Sequence, residues 1–540
     1  MVSVQEFTER RPYNASSDFV DANVQAGRGD KTAFADGTRS LSYRELLTQS
    51  QKFANGLRAM GLRQESRVAL LLLDTVDYPI AFWGSIRAGV VCIPLNTLLT
   101  PEQYLYILDD SRAEAVFVSA PLLKSIEPAL AKLPGIKRVI VAGGAGSQPK
   151  EIVGRALLTF EQILERGTTD PWIAPTISDE VAFWLYSSGS TGQPKGTRHV
   201  HSSLIATAVL YGQNVLGIRE DDIVYSAAKI FFAYGLGNAM SFPMSVGATT
   251  ILLPDRPAPD AIFSLMKREQ PTIFYGVPTL FAALLAHKDI GEGAGSSRLR
   301  WCVSAGEALP ANLGQRWREI VGTDILDGIG STEMLHIFVS NRPGDVRYGT
   351  SGKPVPGYDA KIVDEHGSEV AVGEIGELVV RGPSAADGYW NQRAKSRRTF
   401  AGEWTLTGDK YTRDADGYYQ YCGRTDDMFK VSGNWVSPFE VEAALASHAA
   451  VLEAAVIGEE DEDKLIKPKA YVVLKPGIAA DAKLLDSIKE HVKASAGLWK
   501  YPRWIEFRAD LPKTATGKIQ RFKLREESAA EKNKDSNCAA

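Results

Sequence analysis

The stretch Tyr186–Gly196, YSSGSTGQPKG, gathers small hydroxyl side chains and glycines just ahead of a lysine. Glycine lets a backbone approach a ligand closely and adopt positive φ, while free N–H and hydroxyl groups donate to phosphate oxygens. Ser187, Ser188, Gly189, Ser190, Thr191 and Gly192 would supply those donors, and Lys195 a positive charge. Phosphate binding is the chemistry this suits, although GxxGxPKG is not the GxxxxGK[ST] pattern of a P-loop. A generic Gly/Ser run would be a surface loop; the fixed order of Ser, Gly, Thr, Pro and Lys argues against that. Further along, GIGSTE ends in Glu333, a hard carboxylate suited to a Mg2+ that bridges phosphates, with Thr332 as a hydroxyl donor. Taken alone, a Ser/Thr-x-Glu turn also caps helices, Asp409 is an ordinary turn aspartate and Lys518 a solvated charge.

Taken together, these segments look like something more specific. Tyr186–Gly196 resembles the phosphate loop of the adenylate-forming (ANL) superfamily, which includes acyl- and aryl-CoA synthetases, luciferases and peptide-synthetase adenylation domains. Four more signatures follow in that family's order: Gly328–Glu333 (GIGSTE), Leu406–Asp409 (LTGD), Gly423–Lys430 (GRTDDMFK) and Leu511–Arg525 (LPKTATGKIQRFKLR). The resemblance therefore covers nearly the whole chain. It implies an acid–thiol ligase that uses ATP and Mg2+ to convert a carboxylic acid to its acyl-adenylate and then transfers the acyl group to coenzyme A. With no carrier domain after Lys518, free coenzyme A is favoured over a separate carrier protein, which stays as the alternative. A light-emitting oxygenase is a third, less favoured reading, and a scaffold without catalysis fits less well because Lys195, Glu333 and Lys518 are all present.

The same resemblance assigns roles. Ala305, Gly306 and Glu307 of the SAGE stretch, with Asp327, Gly328 and Ile329, would lie along the adenine. Asp409 would accept the ribose hydroxyls, with Arg424 as a further ribose contact. Lys518 would be the catalytic cation that neutralises charge building on the α-phosphate. Asp426 matches a hinge between the two half-reactions, Lys430 the face used in thioester formation, and Gly433 the tunnel for the thiol arm. Acetylation of Lys518 by a lysine acetyltransferase would remove its charge, and a homodimer is common in the family.

The acid pocket is expected around Phe231–Gly237 (FFAYGLG), lined by Phe232, Ala233, Tyr234, Gly235, Ala305, Ile329, Gly330, His336 and Ile337. Aromatic faces suit an aryl ring, and at least one of Phe231 and Phe232 is expected to fill core instead. Amino-acid-activating relatives carry an aspartate here; none stands between Lys229 and Gly237. The wording of FFAYGLGNAMSFPMSVGATTILLPD and GIGSTEMLHIF resembles the benzoate–CoA ligase branch, which implies benzoate, with fluoro-, amino- and hydroxybenzoates as alternatives. His336 would stand near the ring edge, either binding substrate or packing.

The elements that must carry these residues read as an α/β multidomain chain. Arg67–Asp74 is a continuous apolar run typical of a strand covered on both faces, followed by a helix over Asp77–Gly89, a strand over Val90–Asn96, a helix from Pro101 and a strand over Ala113–Ser119. A similar phrase, Ile223–Ala228, Tyr234–Val246 and Ala248–Pro254, predicts a second doubly wound sheet. From Tyr358 to Gly382, short alternating strands broken by HG and VG turns predict a β-barrel-like subdomain. Past Gly423 the pattern predicts a small mobile α+β domain, so that residues 1–424 hold nucleotide and acid and residues 425–540 carry Lys518. The polar SAAEKNKDSNCAA end is expected to be disordered.

Composition limits the alternatives. A chain of 540 residues exceeds a single core, and 44% hydrophobic with 23% charged residues is ordinary for a globular protein. A net charge of -4 gives no reason to expect a nucleic-acid or anionic-membrane partner. No apolar run approaches the roughly 18–20 residues of a membrane span, and the charged N-terminus is unlike a signal peptide. The four cysteines are far apart and the seven histidines show no metal-ligand spacing, which together favour a cytoplasmic enzyme without a structural metal.

Overall fold

The computed structural model describes residues 4–143, 151–187, 193–431, 434–461, 465–497, 500–513 and 519–538. Ser188, Gly189, Ser190, Thr191, Gly192, Gly433 and Lys518 lie outside the described residues. The chain divides into two compact units: Met1–Gly189 with Gln193–Ala360 and Val380–Thr405, and Lys361–Val379 with Leu406–Ala540.

The first unit is built on two nine-stranded sheets, as the repeated strand–helix rhythm predicts. In one, Val181–Ser187, Val91–Pro94, Arg67–Leu71, Ala115–Ser119 and Arg138–Ala142 run parallel side by side. Val68, Ala69, Leu70 and Leu71 have no exposed surface, because helices cover both faces of a parallel sheet. In the other, Ile325–Gly330, Trp301–Ser304, Ile273–Gly276, Ile223–Ser226, Thr249–Ile251 and Thr32–Ala35 run parallel. The connecting helices start and stop on local signals. Thr100 caps Pro101–Ser111 in a capping box with Gln103, and Gly247 ends Phe242–Val246 at φ +78°. The helix Asp77–Arg87 is buried along its length, and its Trp83 stacks on Phe19 at 4.9 Å and donates Nε1–H to Met244 Sδ at 3.1 Å.

The second unit carries the antiparallel pair Trp404–Arg413 and Tyr419–Arg424, then a three-stranded sheet of Val451–Glu460, Ile466–Leu474 and Trp504–Phe507. Helices Pro438–Ala446 and Ala482–Ala496 are capped by Ser437 and Asp481. Two expectations change. The strands Asp359–Val363, Gly376–Arg381 and Trp404–Arg413 form an open sheet rather than a barrel; closure needs a matched stagger around a complete ring, and this sheet ends on free edges. The chain end is also helical over Arg521–Cys538 rather than disordered. The start of that helix is held by burial of Leu524 beside Tyr471 and by Ser528 Oγ, which donates to Glu459 at 2.6 Å. No helix among the described residues is long and apolar enough to cross a membrane.

Trp83→Ala empties a fully buried aromatic site and should destabilise the first unit by about 3–5 kcal/mol. Denaturant titration followed by tryptophan fluorescence checks this; an unshifted midpoint would contradict the packing described.

Candidate functional site

In open α/β sheets, ligands bind beyond the carboxyl ends of the parallel strands. The predicted residues of the first unit gather there. Ala233, Tyr234 and Gly235 follow Ile223–Ser226, Ala305, Gly306 and Glu307 follow Trp301–Ser304, and Gly328–Glu333 closes Ile325–Gly330. Ser187 ends the strand Val181–Ser187, which turns back antiparallel into Lys195–Val200 with Lys195 opposite Ser187. The two arms of that hairpin are fixed from behind. Tyr186 donates its hydroxyl to Asp110 Oδ2 at 2.6 Å, and Trp390 N–H donates to Gly196 O at 2.8 Å.

Lys195 and Glu333 meet. Lys195 Nζ donates to Glu333 Oε1 at 2.7 Å and to the Tyr389 hydroxyl at 2.7 Å, while that hydroxyl donates to the same Glu333 oxygen at 2.7 Å. Both charged side chains are only 14% exposed. Burial pushes the Glu333 carboxyl up, but the Lys195 charge and the two hydrogen bonds outweigh it and hold it below the usual carboxylate range. Tyr389 is brought into place by the two-residue strand Gly388–Tyr389, which pairs with Thr197 and Arg198. Sequence reasoning missed Tyr389; its only signal was a tyrosine after the glycine of DGYW.

The turn after Gly330 is tightly built. A Cβ on Gly330 would stand 2.6 Å from the His336 carbonyl oxygen, so only glycine fits. Thr332 is held through its carbonyl, which accepts from His199 Nε2 at 2.8 Å. A carbonyl cannot donate, so the His199 proton is on Nε2. Burial pushes its pKa down to about 4, and the ring stays neutral, stacked on Phe183 at 5.3 Å. His199 is a second residue the sequence did not single out. Asp327 is 4% exposed, and burial pushes its carboxyl up to about 8, so it is largely protonated at neutral pH.

The residues that the sequence assigns to the acid pocket are uncharged. The Tyr234 hydroxyl lies 3.0 Å from Val303 O and 3.2 Å from Gly276 O, which pins the ring across two strand ends. His336 Nε2 lies 3.2 Å from Tyr234 O and 3.1 Å from Asn238 Oδ1, two acceptors that require the proton on Nε2. Burial pushes the His336 pKa down to about 3. Its ring packs edge-on against Phe242 at 4.4 Å and against Gly237, where a Cβ would stand 2.4 Å from it. Phe231 is buried core, as expected of one of the pair, while Phe232, Ala233, Tyr234, Ile329 and Gly330 keep partial exposure and Ile337 is buried.

In the second unit Asp409 and Arg424 are directly opposed across two strands, with Arg424 Nη1 2.9 Å from Asp409 Oδ1. Lys430 Nζ lies 4.8 Å from the centroid of the Trp435 ring. Next to Asp426, Asp427 accepts from Arg525 at 2.7 Å, and Arg521 is held by Glu442. No group of three or more metal-ligating side chains occurs among the described residues, and the two side-chain donors to Glu333 both meet Oε1. A single carboxylate oxygen fits Mg2+, which keeps several waters and relies on substrate phosphates for its other ligands.

A phosphate-type hairpin facing a carboxylate at the carboxyl edge of a doubly wound sheet defines a nucleotide-dependent enzyme. Residues 21–390 match the family described as AMP-binding enzyme, and residues 440–518 match AMP-binding enzyme C-terminal domain. The chain belongs to this family, and within it resembles the aryl-CoA synthetases. It is 55% identical over 515 residues to a benzoate–CoA ligase of Thauera aromatica, covering 95% of this chain and 96% of that one. It is also 55% identical over 517 residues to a 4-hydroxybenzoate–CoA/benzoate–CoA ligase of Rhodopseudomonas palustris, covering 96% and 94%. Among solved structures, the anthranilate CoA ligase AuaEII in complex with anthranoyl-AMP superposes with a TM-score of 0.91 at 43% identity, covering 98% of this chain and 100% of that one.

Tyr389→Phe removes the hydroxyl shared by Lys195 and Glu333. Affinity for ATP should fall about ten- to a hundredfold, the size of one lost hydrogen bond to charged groups. Equilibrium titration checks this, and circular dichroism should be unchanged.

Proposed function

We propose that the protein is an AMP-forming aryl-CoA ligase whose first substrate is benzoate. In the first half-reaction a benzoate oxygen bonds to the α-phosphorus of ATP, the bond to the bridging oxygen breaks, and pyrophosphate leaves. In the second, the thiol of coenzyme A attacks the acyl carbon, loses its proton, and AMP departs. The observation that carries this reading is the uncharged wall of Phe232, Tyr234 and a neutral His336, beside the Lys195–Glu333–Tyr389 triangle. Such a wall suits an aryl ring and offers nothing to an ammonium group.

Lys195 binds ATP phosphates, with the hydroxyls and amides of Ser187–Gly192, and Thr332 donates from the opposite side. Glu333 would hold Mg2+, which supplies charge neutralisation between the phosphates. Ala305–Glu307 and Asp327–Ile329 flank adenine, and Asp409 and Arg424 hold the ribose. Lys518 neutralises the charge that develops at the α-phosphate. Residues 425–540 act as a domain turning about Asp426, after which Lys430 and Gly433 serve thioester formation.

Hydroxy- and aminobenzoates remain close competitors, because the relatives named above act on 4-hydroxybenzoate or bind anthranoyl-AMP. A pyrophosphate-release screen over benzoate, its hydroxy, amino and fluoro derivatives, phenylacetate, cinnamate and short fatty acids ranks them. The same reading places the enzyme in the cytoplasm, in keeping with its modest net charge, and takes it as a homodimer whose Lys518 a lysine acetyltransferase would silence.

Lys518→Ala should cut benzoate-dependent pyrophosphate release by several orders of magnitude, while thioester formation from pre-made benzoyl-AMP stays within about a factor of ten. Equal loss of both half-reactions would remove Lys518 from its assigned role.

A further inference from the structure

Asp74 lies just past the strand Arg67–Leu71 and is 4% exposed. No step of the reaction above uses it. Its Oδ1 accepts Ile230 N–H at 3.4 Å, and its Oδ2 lies 3.8 Å from Lys229 Nζ. The same ammonium donates to the carbonyls of Leu253, Pro254 and Asp255. The Lys229 carbonyl in turn accepts Phe232 N–H at 3.0 Å and is pressed against Gly235, where a Cβ would stand 2.0 Å from it. Asp74 belongs to one sheet, while Lys229 and the loop that holds it follow Ile223–Ser226 and Thr249–Ile251 of the other. The pair therefore joins the two sheets directly behind the segment that presents Phe232, Ala233 and Tyr234.

We propose that Asp74 and Lys229 are positioning residues for the acid pocket: their ion pair holds Ala228–Gly235 in the conformation that receives the aryl carboxylate, and loss of the Asp74 charge weakens acid binding without affecting nucleotide binding. This inference rests on the aryl-acid reading of the pocket.

The charge is maintained against its surroundings. Burial pushes the Asp74 carboxyl up to about 6, against the attraction of Lys229 and the Ile230 amide. Tyr78 from the helix Asp77–Arg87 and Tyr225 from Ile223–Ser226 also feel this charge, and both hydroxyls lack a partner among the described residues. The neighbouring acids are committed elsewhere, Asp36 to Thr38, Arg39 and Val76, and Asp77 to Arg39. Since the folded value lies above the unfolded one, the stabilising contribution is present at low pH and is lost as pH rises through about 6. An ionised Asp74 thus costs stability at neutral pH, so a purely structural role would not favour it.

The test compares wild type and Asp74→Asn, a near-isosteric change that keeps an acceptor for Ile230, by calorimetric titration with benzoate and with ATP and by thermal melting. At pH 7.5 the variant should bind benzoate about three- to tenfold more weakly, with ATP affinity unchanged and Tm not lowered. Wild type should lose about two- to threefold between pH 7.5 and 5.5, since about a quarter of Asp74 is still ionised at pH 5.5. Benzoate itself stays ionised over this range, and the variant shows no such dependence. Lys229→Met should weaken benzoate binding further and also lower Tm, because it strands a buried carboxylate. Equal benzoate affinity of wild type and Asp74→Asn, a parallel loss for ATP, or a pH dependence that survives in the variant would overturn the proposal. The wild-type titration needs no variant to fold. Should wild type bind no benzoate, the aryl-acid reading fails; the pair is then judged on the acid the enzyme does adenylate, and equal affinity of both proteins for it counts against the pair.

Discussion

Lys195 and Glu333 are buried charges that neutralise each other, and the rest of the site is arranged around keeping them so. Neither would be tolerated alone at that depth, where an unpaired ion loses far more hydration than the fold returns. Tyr389 makes the pair a triangle, accepting from the ammonium and donating to the carboxylate, so every short contact is filled without a ligand. A hairpin, a strand-end turn and a two-residue strand from a distant part of the chain are thereby tied at one point. On the proposed function, Lys195 would serve ATP phosphates and Glu333 would hold Mg2+, so each charge would give up part of this pairing. The hydroxyl of Tyr389 can follow either side because it is neutral.

This arrangement depends on the sheets. Ser187, Ser304 and Asp327 all stand at the carboxyl ends of parallel strands, where chain leaving a buried strand turns outward with free backbone groups. Rigid strands set the starting points, and short turns do the rest. Gly330 lies against the His336 carbonyl, and the Thr332 carbonyl is fixed by a histidine that burial keeps neutral. A charged His199 would offer a second donor, at Nδ1, with no acceptor among the described residues. The low dielectric that makes the Lys195–Glu333 pair demanding also keeps the neighbouring His199 uncharged.

Much of this was legible in the sequence because it is local. The apolar run at Arg67, the Thr100–Pro101 start and the Ser437–Pro438 start are decided within a few residues, and the structure follows them. The phosphate hairpin and GIGSTE were legible as ordered signatures, although only Tyr186, Ser187 and residues 193–196 of the first are among the described residues. What stayed hidden is long-range. Tyr389 contacts a lysine 194 positions away, and Asp74 a backbone amide 156 positions away; neither spacing leaves a periodicity to read. The barrel-like reading failed because alternation records which face of a strand is buried, not whether a sheet closes. The tail was misread since its few anchors, Leu524 and Ser528, sit at the start of a polar segment whose average hides them. Compact contacts also group Leu406–Arg424 with the chain end, whereas the sequence signatures place the division just past Arg424.

The final constraint is the contrast along one sheet edge. At Glu333 the protein invests charge; a few residues on, at His336, it removes it. Both side chains are buried, yet Glu333 is held ionised by a cation and His336 is left without one, so burial alone drives its pKa down to about 3. On the proposed function, a carboxylate substrate would place its charged end toward the Lys195 cation and its remaining surface against His336. On that proposal orientation follows from solvation: a reversed acid would bury its anion, unpaired, against rings and carbonyl oxygens. The polar end would thus be directed toward the proposed phosphate site before any specific contact to the ring is counted, leaving ring contacts to discriminate among acids, at about 1–3 kcal/mol for each small group.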